Sequence, residues 1–156
     1  MIYLTLKYVH LISMVVLFGV GLGTAWYKWM GDRTGDVNHI AIINRHVVLA
    51  DWLFTTPAVI IQPVSGVMLM NILNIPLNTN WLLISLALYV LAGACWIPVV
   101  CLQYKMRNLS AETAANHQAL PEQYWYYARI WFWLGVPAFT AMLLIVFLML
   151  FKPYFS

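Results

Sequence analysis

The stretch that decides the fold is KYVHLISMVVLFGVGLG, residues 7–23, an apolar run with a lysine and, three positions later, a histidine. The apolar sequence around it covers residues 3–27, and about 20 apolar residues suffice to cross a bilayer as a helix. The run lacks the alternation of polar and apolar residues that a barrel strand requires. It therefore predicts a membrane-spanning helix that contains a titratable side chain, His10.

Three further runs of the same kind follow, at residues 46–73, 81–104 and 126–151. The composition agrees with this pattern, because 63% of the 156 residues are hydrophobic and only 8% are charged. Soluble domains have about a quarter charged residues. The sequence thus predicts an all-α fold, an integral membrane four-helix bundle that spans residues 1–156 as a single domain in the lipid bilayer.

The basic residues predict the orientation of this bundle. Six of the eight Lys and Arg residues flank the first and third predicted loops, whereas two lie on the opposite side. The six are Lys28, Arg33, Arg45, Lys105, Arg107 and Arg129, and the two are Lys7 and Lys152. The positive-inside rule then predicts external termini and cytoplasmic first and third loops. No basic run accompanies the formal net charge of +3, so we expect no nucleic-acid partner.

Polar residues recur on one face of several predicted helices. An α-helix turns by about 100° per residue, so positions seven or eleven apart return to nearly the same face. The second helix has the longest polar stripe: Asn44, Asp51, Thr55, Gln62 and Ser65. Two interpretations fit such a stripe, namely hydrogen bonds that hold the helices together and a polar core that encloses a cofactor.

Of the residues in that stripe, Asp51 has the largest free-energy cost of burial in a membrane, because a carboxylate within a membrane helix requires a cation. Arg45 and Arg129 lie near the same membrane face in the predicted topology. We therefore expect Arg45, Asp51 and Arg129 to form a charge cluster at the cytoplasmic end of the bundle.

His10 lies about 10 Å inside its helix at 1.5 Å per residue, too deep for a short imidazole to reach the interface. One interpretation is a neutral histidine that is hydrogen-bonded to a serine or tyrosine of a facing helix. The other is an axial ligand of haem iron, since histidines in apolar bundles are recurrent haem ligands. Met14 would then pack on the porphyrin and Lys7 would meet a propionate. Ser13 or Ser85 would orient the second ring nitrogen.

Four segments of the chain resemble a known family. They are KYVHLISMVVLFGVGLG, ADWLFTTPAVIIQPVSG, WLLISLALYVLAGACWIPVVCLQ, and the pair WFWLGVPAF and FLMLFKP near the end. Over essentially the whole chain they resemble the bacterial integral membrane family of domain of unknown function 2269. The resemblance implies a multi-pass protein of the bacterial inner (cytoplasmic) membrane.

The chain is more distantly similar to the HemJ-type protoporphyrinogen oxidases, small four-helix membrane proteins that bind haem b. A K-x-x-H pattern in helix one, a T-P pair in helix two and a K-P pair after helix four are shared. The similarity implies a membrane oxidoreductase in which His10 is an axial iron ligand. The second ligand of that family, a lysine, falls near Ser85, and serine does not replace it. The iron would be five-coordinate or bound by a methionine such as Met68.

Two function classes follow from these observations. The first is a haem b membrane redox protein that exchanges electrons with a quinone or a porphyrin-like small molecule. The second is a non-catalytic membrane bundle, an accessory subunit or a small transporter, which would work as a homodimer or with a partner subunit. The sequence contains no inverted repeat of the kind found in many transporters.

Overall fold

The computed structural model describes residues 1–152, so Pro153 of the K-P pair lies outside the described part. Within residues 1–152 all regular structure is helical and no strand occurs, as predicted. The elements are α1 (Ile2–Thr34), α2 (Val37–Ala50), a π-helical turn (Asp51–Thr55), α3 (Thr56–Ile72), α4 (Asn80–Ala115) and α5 (Glu122–Phe151). The predicted count of spans is confirmed, because four helical stretches are long and apolar enough to cross a membrane: Ile2–Thr34, Val37–Ile72, Asn80–Ala115 and Glu122–Phe151.

The first predicted loop is mostly helical. α1 and α2 together cover residues 28–45 except for Gly35 and Asp36. Gly35 closes α1 with a left-handed φ of 68°, which a residue without a side chain adopts readily. The Asp36 carboxylate caps α2 by accepting hydrogen bonds from the backbone N–H groups of Asn38 (2.9 Å) and His39. The connection is therefore a two-residue turn.

The third predicted loop is shortened in the same way. α4 has 36 residues and continues past residue 104 to Ala115. At 1.5 Å per residue this helix is about 54 Å long, well beyond a hydrocarbon core of about 30 Å. It ends where the N–H of Gln118 donates to the carbonyl of Thr113 at 3.1 Å. The polar sequence after the first and third apolar runs therefore extends a helix rather than starting a loop.

The second span is not a regular α-helix throughout. The N–H of Thr56 donates to the carbonyl of Asp51, which gives the π-helical turn between α2 and α3. This turn ends two residues before Pro57, which has no N–H with which to continue the α-helical pattern. Asp51 and Thr55, at the two ends of the π turn, are both buried. The predicted helix 46–73 is thus two α-helical segments joined by a π turn.

The chain forms two compact units. Unit 1 comprises Met1–Ile75 and Arg107–Leu120, and unit 2 comprises Pro76–Met106 and Pro121–Ser156. That the two units form one four-helix bundle stays a prediction.

In unit 1, α1 packs along α2, the π turn and α3. Near the turn of this antiparallel hairpin, the side chain of Ile43 lies directly against Gly31. Toward the far end, Ser13 and His10 contact Gln62. The register is therefore the same at both ends of the hairpin, and it decides which residues of α3 face His10.

Candidate functional site: a polar cluster around His10

Both ring nitrogens of His10 are engaged by side chains of α3. The Nδ1 atom lies 2.9 Å from Oγ of Ser65, and the Nε2 atom lies 3.1 Å from Nε2 of Gln62. The imidazole itself is half-buried, whereas Ser65 is buried. The predicted hydrogen bond between His10 and a serine of a facing helix is present.

The hydrogen-bond partners favour one tautomer of this histidine. The Ser65 hydroxyl lies 2.6 Å from the carbonyl oxygen of Ile61, and while it donates its single proton there it accepts from His10. In that arrangement Nδ1 of His10 bears the proton. The amide nitrogen of Gln62 can only donate, so Nε2 of His10 is the acceptor. The arrangement corresponds to a neutral imidazole with an unprotonated Nε2.

Ser13 completes a polar cluster that consists of His10, Ser13, Gln62 and Ser65. The Ser13 hydroxyl donates to Oε1 of Gln62 and also lies 3.3 Å from the carbonyl oxygen of Ala58. The Gln62 amide is thus held at its oxygen by Ser13 and at its nitrogen by His10. Hydrogen bonds of this kind satisfy polar side chains where lipid offers no partner.

Gly66 determines how closely the imidazole approaches α3. A Cβ atom at this position would lie 3.3 Å from Cε1 and 3.8 Å from Nδ1 of His10. The shorter distance is tighter than an ordinary van der Waals contact. The missing side chain therefore lets the His10 ring lie against the α3 backbone.

The structure places the other predicted ligand residues as follows. Lys7 is exposed and lies one turn before His10, and Met14 is half-buried one turn after it. Met68 lies one turn beyond Ser65 on α3 and is 46% exposed. Ser85 belongs to unit 2, where its hydroxyl donates to the carbonyl of Trp81 at 2.7 Å.

The residue beside the imidazole differs from the predicted Ser13, and the role predicted for Ser85 of unit 2 stays a prediction. Ser65 contacts Nδ1, whereas Ser13 reaches the ring only through Gln62. Both Ser65 and Gln62 belong to the polar stripe of the second span, so the sequence pattern had already placed them on the same face of that helix. The pairing with His10 depends on the two-residue turn at Gly35, which the sequence pattern did not reveal.

The polar stripe faces inward, as its periodicity predicts. Asn44, Asp51, Thr55 and Ser65 are buried and Gln62 is half-buried. The Asn44 amide donates to the hydroxyl of Ser110 at 3.0 Å, and the Thr55 hydroxyl donates to the Asp51 carboxylate at 2.8 Å. The bond between Asn44 and Ser110 joins α2 to α4 and favours the interpretation in which the stripe holds helices together.

The predicted charge cluster stays a prediction. Asp51 is 6% exposed, Arg45 is exposed on α2, and Arg129 is exposed on α5 of unit 2. A different ion pair lies within α1, where Nζ of Lys28 lies 3.0 Å from the Asp32 carboxylate. The Lys28 side chain is fully buried. Lys28 was predicted to flank the first loop, although its i, i+4 spacing from Asp32 is typical of helical ion pairs.

No group of three His, Cys, Asp or Glu side chains that could hold a metal ion occurs in residues 1–152. A haem needs no such group, because the porphyrin supplies four nitrogens and the protein supplies the axial ligands. The unprotonated Nε2 of His10 has the chemistry of such a ligand. In the described structure it accepts a hydrogen bond from Gln62 instead.

Four long apolar helices define a multi-pass integral membrane protein, and a polar cluster lies inside its first hairpin. A family model described as predicted integral membrane protein (DUF2269) matches residues 4–153, and the chain belongs to this family. No curated protein and no solved structure gives a significant match. The description of this family names no activity.

Proposed function

We propose that this membrane protein binds haem b and transfers electrons, with His10 as an axial ligand of the iron. The observation that supports the proposal is the 2.9 Å contact between Nδ1 of His10 and the Ser65 hydroxyl, which favours the tautomer with a protonated Nδ1. Metal-binding histidines usually donate their second ring N–H to such an acceptor, which fixes the ring and raises the basicity of the free nitrogen. In this tautomer the free nitrogen is Nε2.

The residues around His10 are also compatible with a bound haem. The exposed Lys7 ammonium could pair with a propionate, and the half-buried Met14 offers a flexible apolar contact for the porphyrin face. Met68 of α3 is the candidate second ligand, and without it the iron would have one protein ligand. When bound, haem supplies one-electron redox chemistry. The distant similarity to HemJ-type oxidases also favours this group.

The electron partner would be a small molecule that enters from the bilayer. A quinone and a porphyrin-like compound are the two classes consistent with a protein whose surface is largely apolar helix. The proposed location is the bacterial inner membrane. In the predicted orientation His10 lies in the outer half of the first span, so electrons would be exchanged near the external face.

Absorption spectroscopy tests the proposal. The protein would be purified in mild detergent from haem-replete cells, and a dithionite-reduced minus oxidised spectrum would be recorded. We expect Soret and α bands in the wild type and their loss in His10→Ala. The controls His39→Ala and His117→Ala alter exposed histidines and should keep the pigment. A colourless wild type would contradict the proposal, and bleaching by His46→Ala alone would place the haem at His46 of α2 instead of at His10 of α1.

A second candidate function is a non-catalytic membrane bundle that serves as an accessory subunit. It is favoured by the same cluster, because both nitrogens of His10 already have hydrogen-bond partners within the hairpin. In that case the cluster stabilises the contact between α1 and α3 and nothing more. His10→Ala would then lower the unfolding temperature without any change in a spectrum that never showed haem bands.

A further inference from the structure

We infer that Gln62 is a removable cap on the ligand-binding nitrogen of His10 and so sets the affinity of this site for haem iron. The inference rests on the proposed function, because it concerns the same nitrogen. The amide nitrogen of Gln62 lies 3.1 Å from Nε2 of His10. Nε2 has one lone pair, which cannot accept the amide hydrogen and bind iron at once. Any iron ligation at His10 therefore requires the amide to leave.

The two hydrogen bonds of the imidazole differ in how firmly their partners are held. The Ser65 hydroxyl lies 2.6 Å from the carbonyl of Ile61 and 3.2 Å from that of Gln62 on its own helix, which fixes it beside Nδ1. Gln62 reaches Nε2 at the end of a longer, half-buried side chain with several rotatable bonds. The Nδ1 side of His10 is thus locked, whereas the Nε2 side can open.

Ser13 lowers the free-energy cost of moving the Gln62 amide away from His10. Its hydroxyl donates to Oε1 of Gln62 when the cap is closed, and it lies 3.3 Å from the carbonyl oxygen of Ala58 as well. When Gln62 swings away, Ser13 retains an acceptor on α3. The opening therefore breaks the contact between the amide and the imidazole without leaving a buried hydroxyl unsatisfied.

A cap of this kind has a definite consequence for affinity. In the absence of haem, the amide keeps Nε2 hydrogen-bonded and His10 in the Nδ1–H tautomer. A variant without the amide lacks the competitor but keeps Ser65, so iron should bind more tightly. The net contribution of one neutral hydrogen bond corresponds to about a two- to ten-fold gain in affinity.

Two measurements on the detergent-solubilised full chain test the cap. The first is the ¹⁵N spectrum of the histidine side chains in haem-free protein, with His10 assigned by comparison with His10→Ala. We expect a protonated Nδ1 and a hydrogen-bonded, unprotonated Nε2. Gln62→Leu should move only the Nε2 resonance, toward that of a free ring nitrogen. Ser65→Ala should instead perturb Nδ1 and allow both tautomers.

The second measurement is a titration of the haem-free protein with haemin. Gln62→Leu should lower the Kd by about two- to ten-fold, Gln62→Ala should act in the same direction, and Gln118→Leu, which alters an exposed glutamine, should match the wild type. Haemin binding at His10 with an unchanged Kd in both Gln62 variants would overturn the cap and leave the proposed function intact. An absence of haemin binding at His10 in every variant would overturn both.

Discussion

Gly66 of α3 lies so close to the imidazole of His10 that a Cβ atom at this position would come within 3.3 Å of Cε1. Gly21 of α1 is different, because a Cβ atom there would meet nothing within 4 Å. The two glycines both lie inside long helices, where alanine is intrinsically favoured over glycine by about 1 kcal/mol. They therefore form a matched pair in which only the surroundings of the added methyl group differ.

We predict that Gly21→Ala raises the unfolding temperature in detergent, whereas Gly66→Ala gives less stabilisation or none. At Gly66 the gain in helix propensity is offset because the His10 ring must move by a few tenths of an ångström. The ¹⁵N resonances of His10 should shift in Gly66→Ala and stay in place in Gly21→Ala. Equal stabilisation with unchanged His10 resonances would contradict the packing described for this site.

The contact between Gly31 and Ile43 gives a second prediction. A methyl group at Gly31 would overlap Cδ1 of Ile43 but would make only ordinary contacts with the other Ile43 atoms. Gly31→Ala should therefore destabilise the hairpin of α1 and α2 by about 1–3 kcal/mol, the usual range for overpacking. Ile43→Val removes that one atom and should rescue Gly31→Ala. Additive effects in the double-mutant cycle, measured by reversible unfolding, would show that the two residues do not compete for space.

Much of this hairpin could be predicted from the sequence, and the missing part has a physical cause. The apolar runs predicted the membrane spans, and the periodicity of Asn44, Asp51 and Thr55 predicted which face of the second span is buried. The charges Lys28 and Arg45 were interpreted as loop residues, although helices continue past the bilayer core where charged side chains are tolerated. With the length of the first turn unknown, the register between the two spans was also unknown. The partners of His10 could not be assigned for that reason.

The buried ion pair within α1 gives a third prediction. Lys28 is fully buried and its ammonium lies 3.0 Å from the carboxylate of Asp32, which is 15% exposed. Lys28→Met should destabilise the protein by about 3–5 kcal/mol, since it leaves the carboxylate without this cation. Adding Asp32→Asn should recover part of the loss. The control Lys7→Met alters an exposed lysine and should unfold like the wild type, and a similar unfolding temperature for Lys28→Met would contradict the burial of the pair.

A fourth prediction compares two aspartates. Asp36 caps α2 at an exposed position, and asparagine is as good a helix cap, so Asp36→Asn should change the unfolding temperature little. Asp51 is 6% exposed, lies inside a candidate span and belongs to the predicted charge cluster. If the cluster exists, Asp51→Asn leaves a cation uncompensated, so it should be clearly more destabilising than Asp36→Asn. Identical thermal unfolding of the two variants would count against the cluster.

The fifth prediction concerns the orientation of the chain in the membrane. Six Lys and Arg residues lie on one side of the predicted topology and two on the other, and this count is unchanged although several of these residues lie in helices. The positive-inside rule counts residues within about 15–20 positions of the span ends, whether helical or not. It counts basic residues rather than net charge, so the pairing of Lys28 with Asp32 does not remove Lys28 from the count. The turns after α1 and α4 should therefore be cytoplasmic, and the turn between α3 and α4 should be external.

Cysteine labelling tests this orientation with three exposed positions, one at each connection. The native thiols Cys95 and Cys101 would first be replaced by alanine, because both are free. In intact cells a membrane-impermeant maleimide should label Asn78→Cys, between α3 and α4. It should label Thr34→Cys and Gln118→Cys only after permeabilisation. The opposite pattern would reverse the orientation and place His10 in the cytoplasmic half of the membrane, where a haem would exchange electrons with the cell interior.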